Sequence, residues 1–361
     1  MRLLVAAGGT GGHLYPAIAV AKRVRELTGG ADVIFVGTAR GLESSIVPSA
    51  GFPLELVRAA PLRGGSLWRK LHGISGLFLG LADSVRLLKR LDPQAVMGVG
   101  AYVSGTVLLT AALKGIPTLI LEPNAEPGLA NRGLAPFIDE AACAWEETTR
   151  YFGKKAFVSG NPVRREIAEV PPLGPQSSQR MRLLIFGGSQ GSSALNRAVA
   201  GSLSLLAPEL HRLEWVHQTG PRDFSSVSEA YARHSVRALV VPYIDAMHEA
   251  YGAADVVIAR AGATTCAELA CAGRGSLLLP LSLAGGHQER NAEMMAGAGA
   301  ARFLRAPELD SARLAREIVD LLNAPHERAR MGASARAIAR PDAADTVARR
   351  LLRLAGKEAA A

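Results

Sequence analysis

The sequence predicts two doubly wound α/β domains, each built on a parallel sheet, facing one another across a cleft. Three observations predict it. Arg2-Leu3-Leu4-Val5-Ala6-Ala7-Gly8-Gly9-Thr10-Gly11-Gly12 and Arg182-Leu183-Leu184-Ile185-Phe186-Gly187-Gly188-Ser189-Gln190-Gly191 are nearly one pattern written twice, 180 residues apart in a chain of 361. Short apolar runs alternate with helical patterns through both halves, the parallel-sheet signature. With 48% hydrophobic and 20% charged residues, the chain can bury two cores. In each copy an apolar run too short for a buried helix leads into glycines and then a helical pattern. The result is a strand–turn–helix unit of the kind that binds anions, at the carboxyl edge where ligands of this architecture sit.

After the first run, apolar segments follow at 32–36, 54–57, 95–99, 118–121, 141–144 and 156–158, with helical patterns such as 16–27 and 127–135 between them. Pro171-Pro172-Leu173-Gly174-Pro175-Gln176-Ser177-Ser178-Gln179 has the most linker-like composition in the chain, which places a boundary near 159–180. The second half repeats the alternation at 182–187, 213–217, 237–241, 255–258, 276–280 and 301–304. The expected organisation is an N-terminal domain over 1–160, rejoined by a C-terminal helix at 342–358, and a C-terminal domain over 161–340. The last helices are rich in arginine and alanine, and a solvated helix face accounts for that arginine content.

A formal charge of +9 and a pI near 9.8 call for an acidic partner: nucleic acid, an anionic membrane surface or a phosphorylated substrate. Only 5% of residues are aromatic and no basic run is interleaved with them, so the stacking platforms of a single-strand binder are missing and nucleic acid is not expected. Cys143, Cys266 and Cys271 show neither metal-ligand spacing nor a disulfide framework, so no metal is expected and a reducing cytoplasm is. Met1-Arg2-Leu3 runs straight into the expected first strand, so no signal peptide is expected. No stretch reaches the ~18 uninterrupted apolar residues of a membrane span, so any membrane contact is expected to be peripheral.

Neither glycine turn has the GxGxxG or GxxxxGK[ST] order, which weighs against hydride transfer and P-loop hydrolysis. What remains is a turn whose N–H groups and Thr10 or Ser189 hydroxyl can meet phosphate or sugar oxygens. His13, expected at the lip of the first turn just before a helix starting at Leu14-Tyr15-Pro16, is either a general base or a histidine bonded to the loop backbone. Asn161-Pro162-Val163-Arg164-Arg165 places proline at an expected first helical position and arginines in the first turn, where the dipole disfavours cations unless an anion sits nearby. Ala261-Gly262-Ala263-Thr264-Thr265-Cys266-Ala267-Glu268 starts a helix that Gly273 ends. Thr265-x-x-Glu268 reads as a capping box or as a second phosphate-binding helix start. His287-Gln288-Glu289-Arg290-Asn291 reads as a polar loop or a ligand contact at a strand's carboxyl edge.

Residues 66–90 carry an apolar stripe at Leu67, Leu71, Ile74, Phe78, Leu81, Val85 and Leu88, the core side of an amphipathic helix. Trp68 and Leu79 share another face, flanked by Arg63, Arg69, Lys70, Arg86 and Lys89. Ordinary burial and an interfacial membrane contact both explain that face.

Together these residues resemble the MurG family, the glycosyltransferases that add N-acetylglucosamine to an undecaprenyl-diphosphate-linked muramyl-pentapeptide in bacterial cell-wall synthesis. Five ordered motifs carry the resemblance: GGTGGH at 8–13, GVGAYVSG at 98–105, NPVR at 161–164, GGSQG at 187–191 and the segment 260–268. It implies two Rossmann-like domains of the GT-B architecture, inversion at the anomeric carbon, UDP-N-acetylglucosamine as donor and no required metal or other cofactor. By motif, the donor sugar would meet Thr10, Gly11, Gly12, Asn124 and Gln288, and the diphosphate Arg164, Ser189 and the helix start over Ala263, Thr264, Thr265, Cys266 and Ala267. Glu268 would hold the ribose and Ile244 the uracil. His13 or Glu122 would be the base, and the loop with Gly98, Gly100, Tyr102, Ser104 and Gly105 would face the acceptor's diphosphate. The chain departs from the family pattern in reading Leu121-Glu122-Pro123-Asn124 where His-Glu-Gln-Asn is usual, and in carrying Ala101 and Ala261 for a glycine and a serine. The resemblance also implies a peripheral position on the cytoplasmic side of the cell membrane, with the face of Trp68, Leu79, Arg69 and Lys70 on an anionic leaflet. A UDP-sugar 2-epimerase, another lipid glycosyltransferase and a non-catalytic UDP-sugar-binding regulator are the alternatives on the same fold.

Overall fold

A computed structural model describes residues 1–39, 41–58, 67–173, 180–281 and 286–356, with the side chains of 67–75, 77, 78 and 101 left out. The chain divides into two units: residues 1–164 with 340–361, and residues 165–339. The sequence-based boundary at 160/161 therefore moves to 164/165.

Unit 1 runs β1 (Arg2–Ala6), α1 (Gly11–Thr28), β2 (Asp32–Gly37), α2 (Glu43–Ser49), β3 (Leu54–Leu56), α3 (Leu67–Leu91), β4 (Ala95–Gly98), α4 (Ala101–Leu113), β5 (Thr118–Glu122), α5 (Leu129–Leu134), β6 (Glu140–Cys143) and β7 (Ala156–Val158). Its strands form one parallel sheet in the order β3-β2-β1-β4-β5-β6-β7. Leu3 and Val5 join the core under α1, while Leu4 and Ala6 join the core on the other face, under α4. That two-residue alternation with both faces buried explains why β1 reads as an unbroken apolar run.

Unit 2 opens with the single turn α6 (Arg165–Ala168) and continues β8 (Met181–Phe186), α7 (Ser193–Ser202), β9 (Leu213–Gln218), α8 (Phe224–Arg233), β10 (Ala238–Val241), α9 (Met247–Ala253), β11 (Val256–Ala259), α10 (Ala263–Ala272), β12 (Ser276–Leu278), α11 (His287–Gly297), β13 (Ala301–Phe303), α12 (Ser311–Asn323) and α13 (Pro325–Ala337). The sheet order is β10-β9-β8-β11-β12-β13, again all parallel. In both sheets the order reverses beside the first strand of the unit, between β1 and β4 and between β8 and β11, so each glycine turn stands at a topological switch point. The chain then returns to unit 1 as α14 (Ala343–Leu354), which lays Val347, Ala348, Leu351 and Leu352 into the core around α1. Arg23 to Asp345 at 2.7 Å and Arg350 to Glu140 at 3.2 Å fasten it.

Several local expectations change. α1 begins at Gly11, so His13 is inside its first turn and not ahead of it. Residues 161–164 are irregular and the helix starts at Arg165; Pro162 is not its first residue, and the dipole argument for Arg164 falls away. Among the described side chains of α3 the buried positions are Gly80, Ser84, Leu87 and Leu88, while Val85, assigned to the core stripe, is exposed; Leu67, Leu71, Ile74 and Phe78 fall outside the described side chains. The arginines of the last helices are not all solvated: Arg328 is buried and donates to the carbonyls of Leu321 and Leu322 at the end of α12, and Arg336 donates to those of Cys271 and Val170. Guanidinium groups there satisfy carbonyls that a helix end leaves unpaired.

Candidate functional site

In unit 1 the first turn leaves β1 through Gly8 and Gly9, the latter at φ +88°, where only glycine is unstrained. Thr10 is the N-cap of α1, exposed and without a side-chain cap bond. Beneath the turn lies Glu43, a fully buried carboxylate. Its Oε2 accepts from Gly9 N–H at 3.0 Å, and its Oε1 accepts from the N–H and hydroxyl of Thr38 at 2.9 and 2.7 Å. Burial alone would push this carboxyl up; the donors from Thr38 and Gly9 outweigh it and hold the group below its ordinary range. The first turn is thus already tied to an anion of its own.

His13 is half-buried against the start of α4: a methyl group on Gly100 would lie 3.4 Å from His13 Nε2 and 3.8 Å from Asn131 Nδ2. Asn131 in turn donates to Glu122 Oε2 at 2.8 Å. Glu122 is 1% exposed and accepts three further bonds, from the N–H and Nδ2 of Asn124 at 3.0 and 3.1 Å and from Gly128 N–H at 3.2 Å. Burial pushes its carboxyl up against these four donors. The group fixes the segment from Asn124 to Asn131, which Thr148 also pins by donating to the carbonyls of Asn124 and Ala125 at 3.1 and 3.0 Å.

The expected acceptor loop is in fact a strand end and a helix start. Gly98 closes β4, Gly100 at φ +81° caps α4, and Tyr102, Ser104 and Gly105 lie in the first turns of α4. Tyr102 is exposed. Ser104 is fully buried and donates to Gly100 O at 2.7 Å, which ties its hydroxyl to the helix start. Arg164 stacks its guanidinium 5.0 Å from the centre of the Tyr15 ring. Leu79 is exposed, while Trp68, Arg69 and Lys70 fall outside the described side chains.

In unit 2 the second turn leaves β8 through Gly187 and Gly188, with Ser189 half-buried and Gly191 at φ +73°. A methyl group on Gly191 would fall on the Thr219 carbonyl, and Gly220 closes up from the same side. The support here is neutral: Gln218 at the end of β9 donates its amide to Gly188 O at 3.1 Å and to Pro242 O at 3.3 Å. Asn196 of α7 donates to Thr219 O at 2.9 Å and to Asp223 Oδ2 at 2.8 Å, and its Oδ1 lies 3.1 Å from His217 Nε2. His217 is fully buried, and that burial pushes its pKa down to about 3.

Next along the same carboxyl edge, α10 starts at Ala263 with Gly262 as its N-cap. The capping box expected at Thr265 is therefore absent, because Thr265 is already in the helix. Ala263, Thr264 and Thr265 form the first turn. Cys266 is buried with its thiol pushed up to about 12 by that burial, and its N–H already donates to Gly262 O at 2.9 Å. Glu268 is buried, with Oε2 accepting from Tyr251 OH at 3.1 Å. Ile244 is half-buried in the turn between β10 and α9. Gln288 stands in the first turn of α11, not in a loop, with Oε1 accepting from Leu281 N–H at 3.0 Å. Asn291, buried in α11, donates to Ala261 O at 3.2 Å and ties α11 to the start of α10.

The structure therefore groups Thr10, Gly11, Gly12 and His13 with the α4 start in unit 1, and Ser189 with the α10 start and Gln288 along one sheet edge in unit 2. Sequence reasoning missed Glu43, Gln218 and Asn131. Gln218 carried a signal, since His217-Gln218-Thr219-Gly220 puts polar residues and a glycine at the end of an apolar run; Glu43 carried none. Among the described residues no group of three His, Cys, Asp or Glu side chains could hold a metal ion, and no helix is long and apolar enough to cross a membrane.

Two parallel-sheet units, each with a strand, a glycine turn and a helix at its switch point, make this a doubly wound α/β protein with a ligand-binding edge in each unit. Residues 3–143 match the glycosyltransferase family 28 N-terminal domain, and residues 182–347 match the C-terminal domain of that family. The UDP-N-acetylglucosamine–N-acetylmuramyl-(pentapeptide) pyrophosphoryl-undecaprenol N-acetylglucosamine transferase of Anaeromyxobacter dehalogenans is 44% identical over 351 residues, covering 96% of this chain and 91% of the relative. The crystal structure of Acinetobacter baumannii MurG superposes with a TM-score of 0.80 at 29% identity, covering 98% of this chain and 99% of that one. A UDP-GlcNAc 2-epimerase from Neisseria meningitidis bound to UDP-GlcNAc gives 0.70 at 14% identity, covering 98% and 100%, a likeness of fold alone. The chain belongs to the MurG family.

Proposed function

We propose that this chain transfers N-acetylglucosamine from UDP-N-acetylglucosamine to the 4-hydroxyl of undecaprenyl-diphospho-N-acetylmuramyl-pentapeptide, inverting the anomeric carbon. The carrying observation is the 44% identity, over 96% of the chain, to a relative named for this reaction. The epimerase alternative has only low-identity fold likeness behind it.

Unit 2 holds the nucleotide. Uracil lies at Ile244, the ribose at Glu268, and the diphosphate at Ser189 and the first turn of α10, where backbone N–H groups and the helix dipole favour an anion. Arg164 is carried over as a further diphosphate contact. Unit 1 handles the sugars: Thr10, Gly11, Gly12 and Asn124 on the donor side, and Gly98, Gly100, Tyr102 and Gly105 on the acceptor side, with Gln288 of unit 2 reaching a donor-sugar hydroxyl. The difference between the turns supports this division, since Glu43 already occupies the first turn while the second rests on a neutral amide. The acceptor hydroxyl attacks C1, the bond from C1 to the β-phosphate oxygen breaks, and UDP leaves from the opposite face. Charge growing on the diphosphate meets preorganised donors, which make a metal unnecessary. His13 takes the hydroxyl proton. Glu122, its lone pairs engaged by four donors, positions the segment beside it. A peripheral position on the cytoplasmic side of an anionic membrane, with Trp68, Leu79, Arg69 and Lys70 toward the leaflet, is part of this reading, and the net charge of +9 supports it.

The test is incubation with radiolabelled UDP-N-acetylglucosamine, with and without the lipid-linked muramyl-pentapeptide, in the presence of a chelator. Label should reach lipid only when acceptor is present, and chelator should leave the rate unchanged. An epimer formed without acceptor would overturn the transferase reading.

A further inference from the structure

Unit 2 contains a cavity of about 350 Å³ that none of the roles above uses. Its wall includes Ser192, the N-cap of α7; Arg260, directly after β11; Leu281, beyond β12; and Asp310 and Ser311, where α12 begins. It therefore opens at the sheet edge that carries the second glycine turn.

Arg260 is the unusual member. The residue is half-buried, its Nε is fully buried without a hydrogen-bond partner among the described residues, and burial pushes its pKa down with no described carboxylate opposing the shift. Asp310 forms no ion pair with it among the described residues; its Oδ1 caps α12 by accepting from Arg313 N–H at 2.6 Å. The two fully buried arginines described in the unit are supplied with acceptors. Arg274 donates to the carbonyls of Tyr251, Ala272 and Gly252 at 2.7, 2.7 and 3.1 Å, and Arg328 to those of Leu321 and Leu322. A buried cation is ordinarily paired or clothed in this way, since leaving water uncompensated is costly. A guanidinium kept bare at the wall of a cavity has its natural complement in a planar or tetrahedral oxyanion, which it can meet with two parallel N–H groups.

We propose that this cavity is an oxyanion site built on Arg260, taking a phosphoryl or carboxylate group, with the Ser192 and Ser311 hydroxyls as additional donors. It rests on the transferase reading only in naming the substrates as the source of the oxyanion: the donor's diphosphate or an anionic group of the acceptor.

Thermal unfolding of the whole chain with inorganic pyrophosphate as probe tests it, comparing wild type, Arg260→Met and Arg260→Lys. Wild type should be stabilised by pyrophosphate, and Arg260→Met should bind it at least about tenfold more weakly, the loss of one charge-assisted bond. Arg260→Lys should keep part of the effect. Without ligand, Arg260→Met should melt no lower than wild type, because it removes a half-buried charge that makes no ion pair among the described residues. Saturating UDP separates the sources: if it abolishes the Arg260-dependent effect, the site takes the donor's diphosphate, and if the effect persists, the site takes a group of the acceptor. Equal pyrophosphate stabilisation in wild type and Arg260→Met, or none in wild type, would overturn the site. So would an unliganded Arg260→Met that melts early while Arg260→Lys shows no anion dependence, since Arg260 would then be a packing residue. Absence of sugar transfer by wild type would defeat the transferase reading and leave these outcomes readable.

Discussion

Beneath the first glycine turn lies a carboxylate, and beneath the second a neutral amide. Glu43 accepts the N–H of Gly9 in unit 1, whereas Gln218 donates to the carbonyl of Gly188 in unit 2. Two negative charges about 6 Å apart at an effective dielectric of about 20 repel by about 3 kcal/mol, enough to steer a phosphate away from the first turn. Near-identical sequence has thus been fitted to opposite electrostatic tasks by residues 34 and 30 positions away. The duplicated turn specifies a backbone shape, and the residue packed under it sets the charge that shape presents; under the proposed function that difference sorts phosphate from neutral sugar.

The largest expected effect tests the chemical half of the comparison. His13→Ala should lower kcat by about 10²–10⁴-fold, the usual contribution of a general base, with UDP affinity unchanged; a fully active variant removes His13 from the mechanism. Next comes a matched pair of glycine substitutions followed by urea unfolding. Gly191→Ala places a methyl group on the Thr219 carbonyl at φ +73° and should cost about 3 kcal/mol or more. Gly9→Ala meets nothing within 4 Å at φ +88° and should cost only about 1–2 kcal/mol of backbone strain. Equal losses would mean that the turns are not packed differently.

Glu43→Gln should destabilise by about 2 kcal/mol at neutral pH through loss of charge-assisted bonds. Because the folded carboxyl is held below its ordinary value, that stabilisation is complete above the unfolded value of about 4.3 and disappears as pH falls through the folded one. Wild-type and variant stabilities should therefore converge in acid, and a constant gap would show that Glu43 acts by packing. His217 supplies the unit 2 counterpart. The unfolded chain binds a proton below about 6.5 that the folded one refuses until about 3, so stability should fall by about 2 kcal/mol between pH 6.5 and 5. His217→Gln should flatten that part of the profile, and an unchanged slope would put the sensitivity elsewhere.

The thirteen strands among the described residues fall within a residue or two of the apolar runs, and the signal is most continuous in the central strands, which are covered on both faces. The family was legible for a related reason: its motifs sit at strand ends, where backbone shape demands glycine. What escaped was helix starts and supports. Gly11, Gly12, Gly100 and Gly105 and the segment 287–291 read as loop, yet they cap or lie within helices, which turns His13, Tyr102 and Gln288 into first-turn residues. Glu43, Gln218, Asn131 and Arg260 act through partners, or a want of partners, that only folding brings about. No spacing rule reports such contacts.

The division of labour between the turns is tested most directly by titrating UDP against Thr10→Ala and Ser189→Ala. Ser189→Ala should weaken UDP by about tenfold, the loss of one bond to a charged group, while Thr10→Ala should bind UDP as wild type does. The reverse pattern, with Thr10→Ala losing UDP and Ser189→Ala keeping it, would contradict the assignment of phosphate to the second turn.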